Sequence, residues 1–509
     1  MSEDLELKWI QVTPQRSVTG KDSWDKGVID INWTVGGNMA WVPSKSYFRV
    51  GMKLTAGGGT SVPVVGDQLA FADSVCGNLV NNVYYRAGGQ DVSSIINYAS
   101  HASVLGNRMG KTGAWLENTG KVSYGLNADF NERVTEVSTG KTSDEAANES
   151  TTLLPLCTEA NFDTATIAVS ATGVLTGVNA ILNTALAVGD QIIDTTTGII
   201  YNMVVAATDA NGTTSEISPF PAGDIAAEAK RWFKITKSND SGARNEVYTM
   251  YQPPIGIFQE DSPQGSGDYR IQLNPSSNYK TAAIETNRAG LTPGTGTATA
   301  TANKYDLEIT SFEFYVAVVR QTAPQSGTET LHLMENLIQS KPVVSGENVH
   351  DFTLPPSTVA ISVFMQGGTA GTDPLLPPSM FKNLTGDELK LQSIQLIYAN
   401  QVKPTTRWSS AFTATKNQLT QRYVDSQTNS GMIYSPGGTE SYDDWLKRGP
   451  IYHFSFERDY NDRSTQLQLQ TNFTAITGAA NIFVAAHYRR SVEIQTSNGY
   501  VVGVQSLST

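Results

Sequence analysis

The chain has 509 residues, 39% hydrophobic and 17% charged, so it is too long for one compact core and too apolar for a disordered chain. Its formal net charge of −12, without any block of Lys and Arg, excludes a basic nucleic-acid-binding arm, and we expect no direct nucleic-acid binding. The length fits about three domains of ordinary size, or two large β-sandwiches with one insertion.

The sequence indicates neither a signal peptide nor a membrane span. Residues 1–6 are acidic and lack the apolar core of a secretion signal. No run approaches ~18 consecutive apolar residues, so no membrane insertion is expected. Cys76 and Cys157 lack CxxC spacing, which predicts buried free thiols in a reducing compartment rather than metal ligands.

The first elements in chain order are short strands followed by one amphipathic helix. Residues 29–35 alternate with the period of a half-buried strand, and residues 47–54 form another strand. A strand at 78–86 and a turn at 87–91 lead to a predicted helix at 92–109. Its apolar stripe is formed by Val92, Ile95, Ile96 and Ala99.

A β-rich insertion is predicted at residues 153–235. It follows a polar link at 141–152 and contains short strands at 166–169, 189–194 and 198–205, separated by turns rich in Thr, Gly and Asn. Its own strand pattern and its polar boundary indicate an exposed turret on the first domain.

The main strand pattern resumes after the insertion and then stops at a polar boundary. Residues 255–258 and 269–273 are apolar or alternating, and the strand at 307–320 is apolar on both faces near its end, which places it centrally in a sheet. The polar segment 321–329 contains a proline and marks the domain boundary.

The second half repeats the plan of the first. A strand at 391–398, a turn at 399–404 and a helix within 410–423 recur at a similar place within their half. The other predicted strands lie at 359–365, 451–457, 465–473 and 480–494.

Each half therefore predicts about eight short strands with one side helix. This pattern indicates an all-β protein with two tandem eight-stranded jelly-roll sandwiches. The first domain is residues 1–322, which include the insertion at 153–235, and the second is residues 323–509.

Several residue groups superficially suggest chemistry, and each has a simpler structural interpretation. Residues 106–112, Gly-Asn-Arg-Met-Gly-Lys-Thr, have three residues between the glycines where a P-loop needs four, so we interpret them as a helix C-terminus ending in Gly110. The histidines are dispersed without zinc-binding spacing, and His101 and His453 are predicted to be packing or hydrogen-bonding residues. The five histidines are His101, His332, His350, His453 and His487.

Two further residue groups have the composition of ligand sites. Asp443 and Asp444 beside Trp445 suggest the acid-plus-aromatic lining of a sugar site, but adjacent strand residues point to opposite faces, so a solvated loop is favoured. The basic run 487–490 is interpreted as a solvated strand end. We predict no catalytic, cofactor-binding or metal-binding residues.

The ordered set of motifs resembles the double-jelly-roll major capsid proteins of tailless double-stranded DNA viruses, in the polinton-like virus, virophage and adenovirus-like lineage. The likeness begins with the Phe-Arg-Val-x-Met-x-Leu strand at 48–54, the strand and Gly turn at 79–89, and the helix that contains Asn97 and Tyr98. It continues through residues 254–258, 269–273, 306–320 and 394–401, the helix after Trp408, and residues 451–456, 465–473 and 481–494. The insertion at 153–235 departs from the family pattern.

This resemblance implies a structural protein of the virion that is not an enzyme. It implies a hexon-like homotrimer forming pseudo-hexagonal capsomers, which contact one another in an icosahedral capsid and meet penton and minor or cement proteins. Synthesis in the reducing interior of the host cell, and an internal membrane nearby, are compatible with it. The alternative is a carbohydrate-binding protein or glycoside hydrolase with tandem jelly rolls.

Overall fold

Alternating apolar residues build most of this chain into β-strands, as the period-2 patterns predict. In the computed structural model, the described residues are 7–36, 38–56, 69–125, 157–161, 166–178, 191–194, 199–205, 216–218, 221–229, 232–237, 246–286, 292–293, 304–320, 327–367, 391–410, 412–413, 416–430, 440–456, 464–474, 476, 479–497 and 500–507. The predicted link at 141–152 lies outside them.

The chain up to residue 125 contains seven strands and three short or medium helices. The strands are β1 (Leu7–Val12), β2 (Ile29–Val35), β3 (Met39–Trp41), β4 (Tyr47–Ala56), β5 (Leu69–Phe71), β6 (Val80–Ala87) and β7 (Gln90–Ile95). The helices are α1 (Val75–Asn78), α2 (Ala99–Gly110) and α3 (Gly113–Trp115), with a 3-10 turn at Pro43–Lys45 and a π-helical segment at Leu116–Tyr124.

Eight strands form the insertion, in two small sheets. They are β8 (Cys157–Asn161), β9 (Thr166–Val169), β10 (Leu175–Val178), β11 (Gln191–Asp194), β12 (Ile199–Val205), β13 (Glu216–Ser218), β14 (Ile225–Ala229) and β15 (Trp232–Lys237). The sheet orders are β10-β9-β14 and β13-β12-β11-β15-β8. Because β15 pairs with β8, the insertion's last strand lies beside its first.

Five strands complete the first sandwich, and eleven belong to the second half. The former are β16 (Glu246–Tyr251), β17 (Gly267–Pro275), β18 (Ile284–Thr286), β19 (Thr292–Pro293) and β20 (Lys304–Arg320), with a 3-10 turn at Gly256–Gln259 and helix α4 (Tyr279–Ala282). The latter are β21 (Gly327–Val343), β22 (Gly346–Thr353), β23 (Thr358–Gly367), β24 (Leu391–Tyr398), β25 (Gln401–Ser409), β26 (Phe412–Thr413), β27 (Lys416–Asn417), β28 (Tyr452–Ser455), β29 (Gln466–Phe473), β30 (Ala480–Ser497) and β31 (Tyr500–Leu507), with helices α5 (Leu419–Ser430) and α6 (Tyr442–Arg448).

The two halves have the same strand order. Sheet 1 (β1-β20-β4-β16) faces sheet 2 (β2-β17-β6-β7), and sheet 3 (β21-β30-β23-β28) faces sheet 4 (β22-β29-β24-β25). When the eight principal strands of each half are counted along the chain, both halves give the orders 1-8-3-6 and 2-7-4-5. This is the jelly roll, which wraps one chain between two packed sheets, and it occurs twice. The all-β double-jelly-roll prediction is confirmed.

The helices predicted from the strand-turn-helix units begin too early. Residues Gln90–Ile95 pair with β6 as strand β7, and α2 begins only at Ala99. Gly88 and Gly89 have φ of 54° and 80°, which makes a tight hairpin turn that sends the chain back along the sheet. Ile96, assigned to the buried stripe, is 55% exposed. Over so few residues, the apolar spacing fits both the period of a helix and the period of a strand. The hairpin turn decides in favour of the strand.

The same correction applies to the second half. The turn after β24 is only Ala399 and Asn400, both with positive φ, so residues 401–409 form strand β25 rather than a turn. Helix α5 then begins at Leu419, nine residues later than the start of the predicted window. Residues 256–259, predicted with the apolar strand pattern, form a 3-10 turn.

Candidate functional site: the junction of the two sandwiches

Helix α2 belongs to the first half but packs against sheet 3 of the second. Tyr98 and His101 contact Phe483 with ring centroids 5.5 and 4.9 Å apart, and His101 also stacks on Phe364 at 5.8 Å. The neighbours of these two phenylalanines, Val363 and Val484, face the second core instead. The face of sheet 3 turned away from its own core is therefore covered by the first sandwich.

His101 is held neutral at this junction. It is 3% exposed, and its Nε2 donates a hydrogen bond of 2.9 Å to Oε1 of Gln366 on β23. Burial lowers the pKa of His101 to about 4, because the imidazolium form would lose its hydration. The prediction that His101 packs and hydrogen-bonds is confirmed.

Four buried charges tie the helices of the two halves together. Arg108 of α2 binds both carboxylate oxygens of Glu440, with N–O distances of 2.9 to 3.0 Å. Arg448 of α6 donates to Glu440 at 2.9 Å and to Asp73 at 2.8 Å. Arg108 also donates to the carbonyl oxygen of Gly449 at 2.9 Å. We call Asp73, Arg108, Glu440 and Arg448 the ion quartet.

The ion quartet balances two positive against two negative charges out of contact with water. The side chains are at most 5% exposed. Burial alone would lower the pKa of Arg448, but the carboxylates of Asp73 and Glu440 outweigh burial and raise it, so the guanidinium stays charged. At Arg108 burial outweighs the attraction of Glu440 and lowers the pKa, so the bidentate hydrogen bonds offset only part of the desolvation cost that buried ions carry. The quartet joins Asp73 and α2 of the first half to Glu440 and α6 of the second.

A buried carboxyl group marks a second polar contact between the halves. Glu335 of β21 is 1% exposed and accepts a hydrogen bond from Ser93 of β7. Burial raises the pKa of Glu335 to about 7, although the hydrogen bonds from Ser93 and the Gly256 amide and the charge of Arg490 act in the opposite direction. A side chain at Gly256 would lie 2.9 Å from the Met334 carbonyl oxygen, so only glycine permits this approach.

The structure brings together His453 and His487, which are 34 positions apart in the sequence. The Nδ1 of His453 donates to Ser362 Oγ at 2.6 Å, and that hydroxyl donates to His487 Nε2 at 2.5 Å. The Nδ1 of His487 donates to Asn336 at 2.6 Å. These three hydrogen bonds form when both histidines are neutral, and burial lowers the pKa of His487 to about 3.

This serine–histidine chain has no substrate access. Ser362, His453 and His487 are all 0% exposed, and their ring and hydroxyl atoms lie in the interior. A nucleophilic serine needs a free face toward a substrate carbonyl, and Ser362 has none. The prediction that His453 is a packing and hydrogen-bonding residue is confirmed.

The other residues considered as candidate sites belong to helices and have structural roles. Residues 106–110 form the last turns of α2, as predicted, so no phosphate loop follows a strand there. The loop predicted at 443–445 is wrong: Ser441 caps helix α6 through the Asp444 amide, and the two aspartates occupy its first turn, where the helix dipole favours negative charge. Trp445 is 0% exposed and offers no sugar-stacking surface.

The basic run 487–490 is also placed differently from the prediction. It lies in the middle of β30 rather than at a strand end, because β30 continues to Ser497 and pairs with β21 from Ala480 to Thr496. Arg490 donates to the Asp91 carbonyl oxygen at 3.3 Å, which adds a contact between the halves.

Cys76 is buried as a free thiol, as predicted, and burial raises its pKa. The side chain of Cys157 lies outside the described part of the chain. Among the described residues, no cluster of three or more His, Cys, Asp or Glu side chains could bind a metal ion. Nor does any described helix have the length and hydrophobicity that crossing a membrane requires.

The repeated sheet order and the buried junction between the two sandwiches define a double-jelly-roll protein. No protein-family model and no curated protein sequence matches the chain. Among solved structures, it is similar to a chain in the cryo-EM structure of the Sputnik virophage, with a TM-score of 0.52 and 10% identity over 99% of this chain and 88% of that one. At this identity the likeness shows the fold alone.

Two named major capsid proteins give lower structural scores. The mavirus protein has a TM-score of 0.45 and 11% identity, covering 100% of this chain and 93% of its own. The Faustovirus protein has a TM-score of 0.49 and 8% identity, covering 96% and 90%.

Proposed function

We propose that the chain is a structural major capsid protein of a virion, which trimerises into pseudo-hexagonal capsomers that tile an icosahedral shell. The observation that carries the proposal is the pair of jelly rolls with one strand order, joined by the buried ion quartet. The shared fold with a chain of the Sputnik virophage structure supports it. Its partners would be further copies of itself, together with penton and cement proteins.

Purified protein is expected to be a trimer that appears hexagonal in negative-stain images. A trimer interface between sandwiches should bury well over ~2,000 Å², which obligate assemblies need. Mass from light scattering and class averages of single particles are the measurements. Protein that stays monomeric at micromolar concentration over a range of salt and pH would contradict the proposal.

We further propose residues 1–322 and 323–509 as the two domains, with the insertion as an exposed turret. The strands β8 to β15 pair only with one another in the described part of the chain, and β15 ends at Lys237, two residues beyond the predicted end at 235. A variant in which a short Gly/Ser linker replaces residues 157–237 should still form trimers. The measured mass of these trimers should be lower only by the mass of the deleted residues. Loss of the trimer in a variant that still folds would show that the insertion takes part in assembly.

The alternative function is carbohydrate binding or glycoside hydrolysis. It would need an exposed aromatic face beside carboxylates, and the buried position of Trp445 removes the one candidate in the sequence that combined them. Specific binding on a glycan array, or release of reducing sugar, would favour this alternative over the capsid role.

A further inference from the structure

The contact between the sandwiches combines a sheet face with a helix face. Within one chain, the side of sheet 3 turned away from its core covers α2, through Phe364 and Phe483. Because both halves share one strand order, sheet 1 is the counterpart of sheet 3, and α5 is the counterpart of α2. Each chain therefore carries a second sheet face and a second helix face of the same kinds.

Helix α5 exposes the side that its counterpart buries. Both helices have 12 residues, and the first residue of each is fully buried. At the sixth position, Val104 of α2 is 2% exposed, whereas Val424 of α5 is 54% exposed. Thr420 and Thr428 are exposed one turn before and one turn after Val424. In an α-helix this spacing forms one continuous stripe.

The counterpart face of sheet 1 is rich in aromatic residues and carries Arg49, which is ion-paired with Glu313 at 2.7 Å. Trp9 and Tyr248 are 49% and 51% exposed. Tyr47 and Tyr315 stack with centroids 5.3 Å apart, and the Arg49 guanidinium lies 5.5 Å from the Tyr315 ring centroid and 5.4 Å from that of Tyr248. Tryptophan, tyrosine and arginine are the residues most enriched among those that dominate protein–protein binding energy.

We propose that this aromatic face of sheet 1 in one copy binds the exposed α5 stripe of a neighbouring copy, repeating between chains the contact that joins the sandwiches within each chain. This inference rests on the proposed trimer and assigns its contact surfaces. Each copy offers one surface of each kind, so the contact is head-to-tail and satisfies every surface only in a closed ring. In a trimer, three such contacts between chains alternate with three junctions within chains.

Val424→Arg tests the helix side of this contact. Arginine at this exposed position leaves the fold intact but places a charge and extra bulk against the aromatic face. We expect the trimer fraction at micromolar concentration to fall by about tenfold or more, because a central interface position is disrupted. Val344→Arg is the matched control, since Val344 is 65% exposed in the turn between β21 and β22, and this variant should remain trimeric.

A mixing experiment distinguishes a head-to-tail contact from a symmetric one. The double variant Trp9→Ala/Tyr248→Ala damages only the sheet face, so it should also be monomeric alone. Mixed with Val424→Arg, each chain contributes one intact surface, and the mixture should form dimers of one chain of each kind but no closed trimers. Light scattering with one chain mass-tagged measures the composition.

The outcomes separate the proposed contact from the proposed function. A trimeric Val424→Arg variant, or a mixture that forms no dimer, overturns the proposed contact but leaves the trimer itself standing. A monomeric wild-type protein would instead contradict the proposed function. If Val424→Arg does not fold by circular dichroism, Thr420→Arg on the same stripe takes its place with the same expected result.

Discussion

Replacing Glu440 with glutamine is expected to destabilise the protein by about 3–5 kcal/mol, the usual cost of leaving a buried charge without its partner. Glu440 accepts hydrogen bonds from both Arg108 and Arg448, and its side chain is 0% exposed. After the substitution, two buried guanidinium groups share the single carboxylate of Asp73. Urea unfolding followed by circular dichroism measures the loss.

The matched control is Glu347→Gln. Glu347 pairs with Arg407 at 2.8 Å, but the two side chains are 54% and 33% exposed, so solvent screens the pair and its loss should cost about 0–1 kcal/mol. The double variant Glu440→Gln/Arg108→Met removes one charge of each sign and should recover part of the stability. Equal losses for Glu440→Gln and Glu347→Gln would show that the ion quartet does not lock the junction.

Acidification is expected to lower the free energy of unfolding at pH values well above those at which ordinary carboxylates titrate. Burial lowers the pKa of His101 to about 4 and that of His487 to about 3, and burial together with the charge of His487 lowers the pKa of His453. The unfolded chain takes up protons on all three near pH 6.5. Their stabilisation is therefore present above pH 6.5 and is lost as the pH falls toward the folded-state values.

Glu335 acts in the opposite direction over part of this range. Its folded pKa of about 7 lies above the ordinary value of 4.5, so its contribution is present below pH 4.5 and is lost as the pH rises through 7. Near pH 5.5, these four groups together bind about two more protons in the unfolded chain than in the folded one. Their contribution to the free energy of unfolding should therefore fall by about 3 kcal/mol for each pH unit of acidification.

Urea unfolding at several pH values between 5 and 6.5 measures this slope. His101→Gln removes one of the three histidines and should reduce the slope by about one proton, or about 1.4 kcal/mol per pH unit. His332→Gln is the control, because His332 lies on β21 and bonds to Ser491 rather than to the histidines of the junction. A His101→Gln slope equal to that of the wild type would show that His101 is not kept neutral by the fold.

The sequence predicted most strands because their signal is local. Residues 29–35 and 391–398 form β2 and β24 with the predicted bounds, since side chains alternate between core and solvent over the whole strand. The strands β7 and β25 were missed because both follow two-residue turns that reverse the chain at once. For β7 the neighbouring apolar residues fit a helical spacing equally well, whereas the first residues of β25 were predicted to continue the turn.

The junction could not be predicted from the sequence. Asp73 and Arg448 are 375 positions apart and form an ion pair of 2.8 Å, and nothing near either residue marks its partner. The histidines appeared dispersed for the same reason, although Ser362 joins His453 to His487. The acidic pair at 443–444 seemed to lie in a loop because the Ser441 cap that begins α6 is a single short signal.

By itself, the sequence determined the all-β class, the two strand-rich halves and the side helix in each, because these depend on short-range alternation of apolar and polar residues. Only the tertiary structure decided which charges meet, which histidines are kept neutral and which helix face stays exposed. Val104 and Val424 show the reason: the same residue at the same position of matching helices is buried in one half and exposed in the other. Burial depends on what packs against a helix, and that is set by contacts between distant parts of the chain.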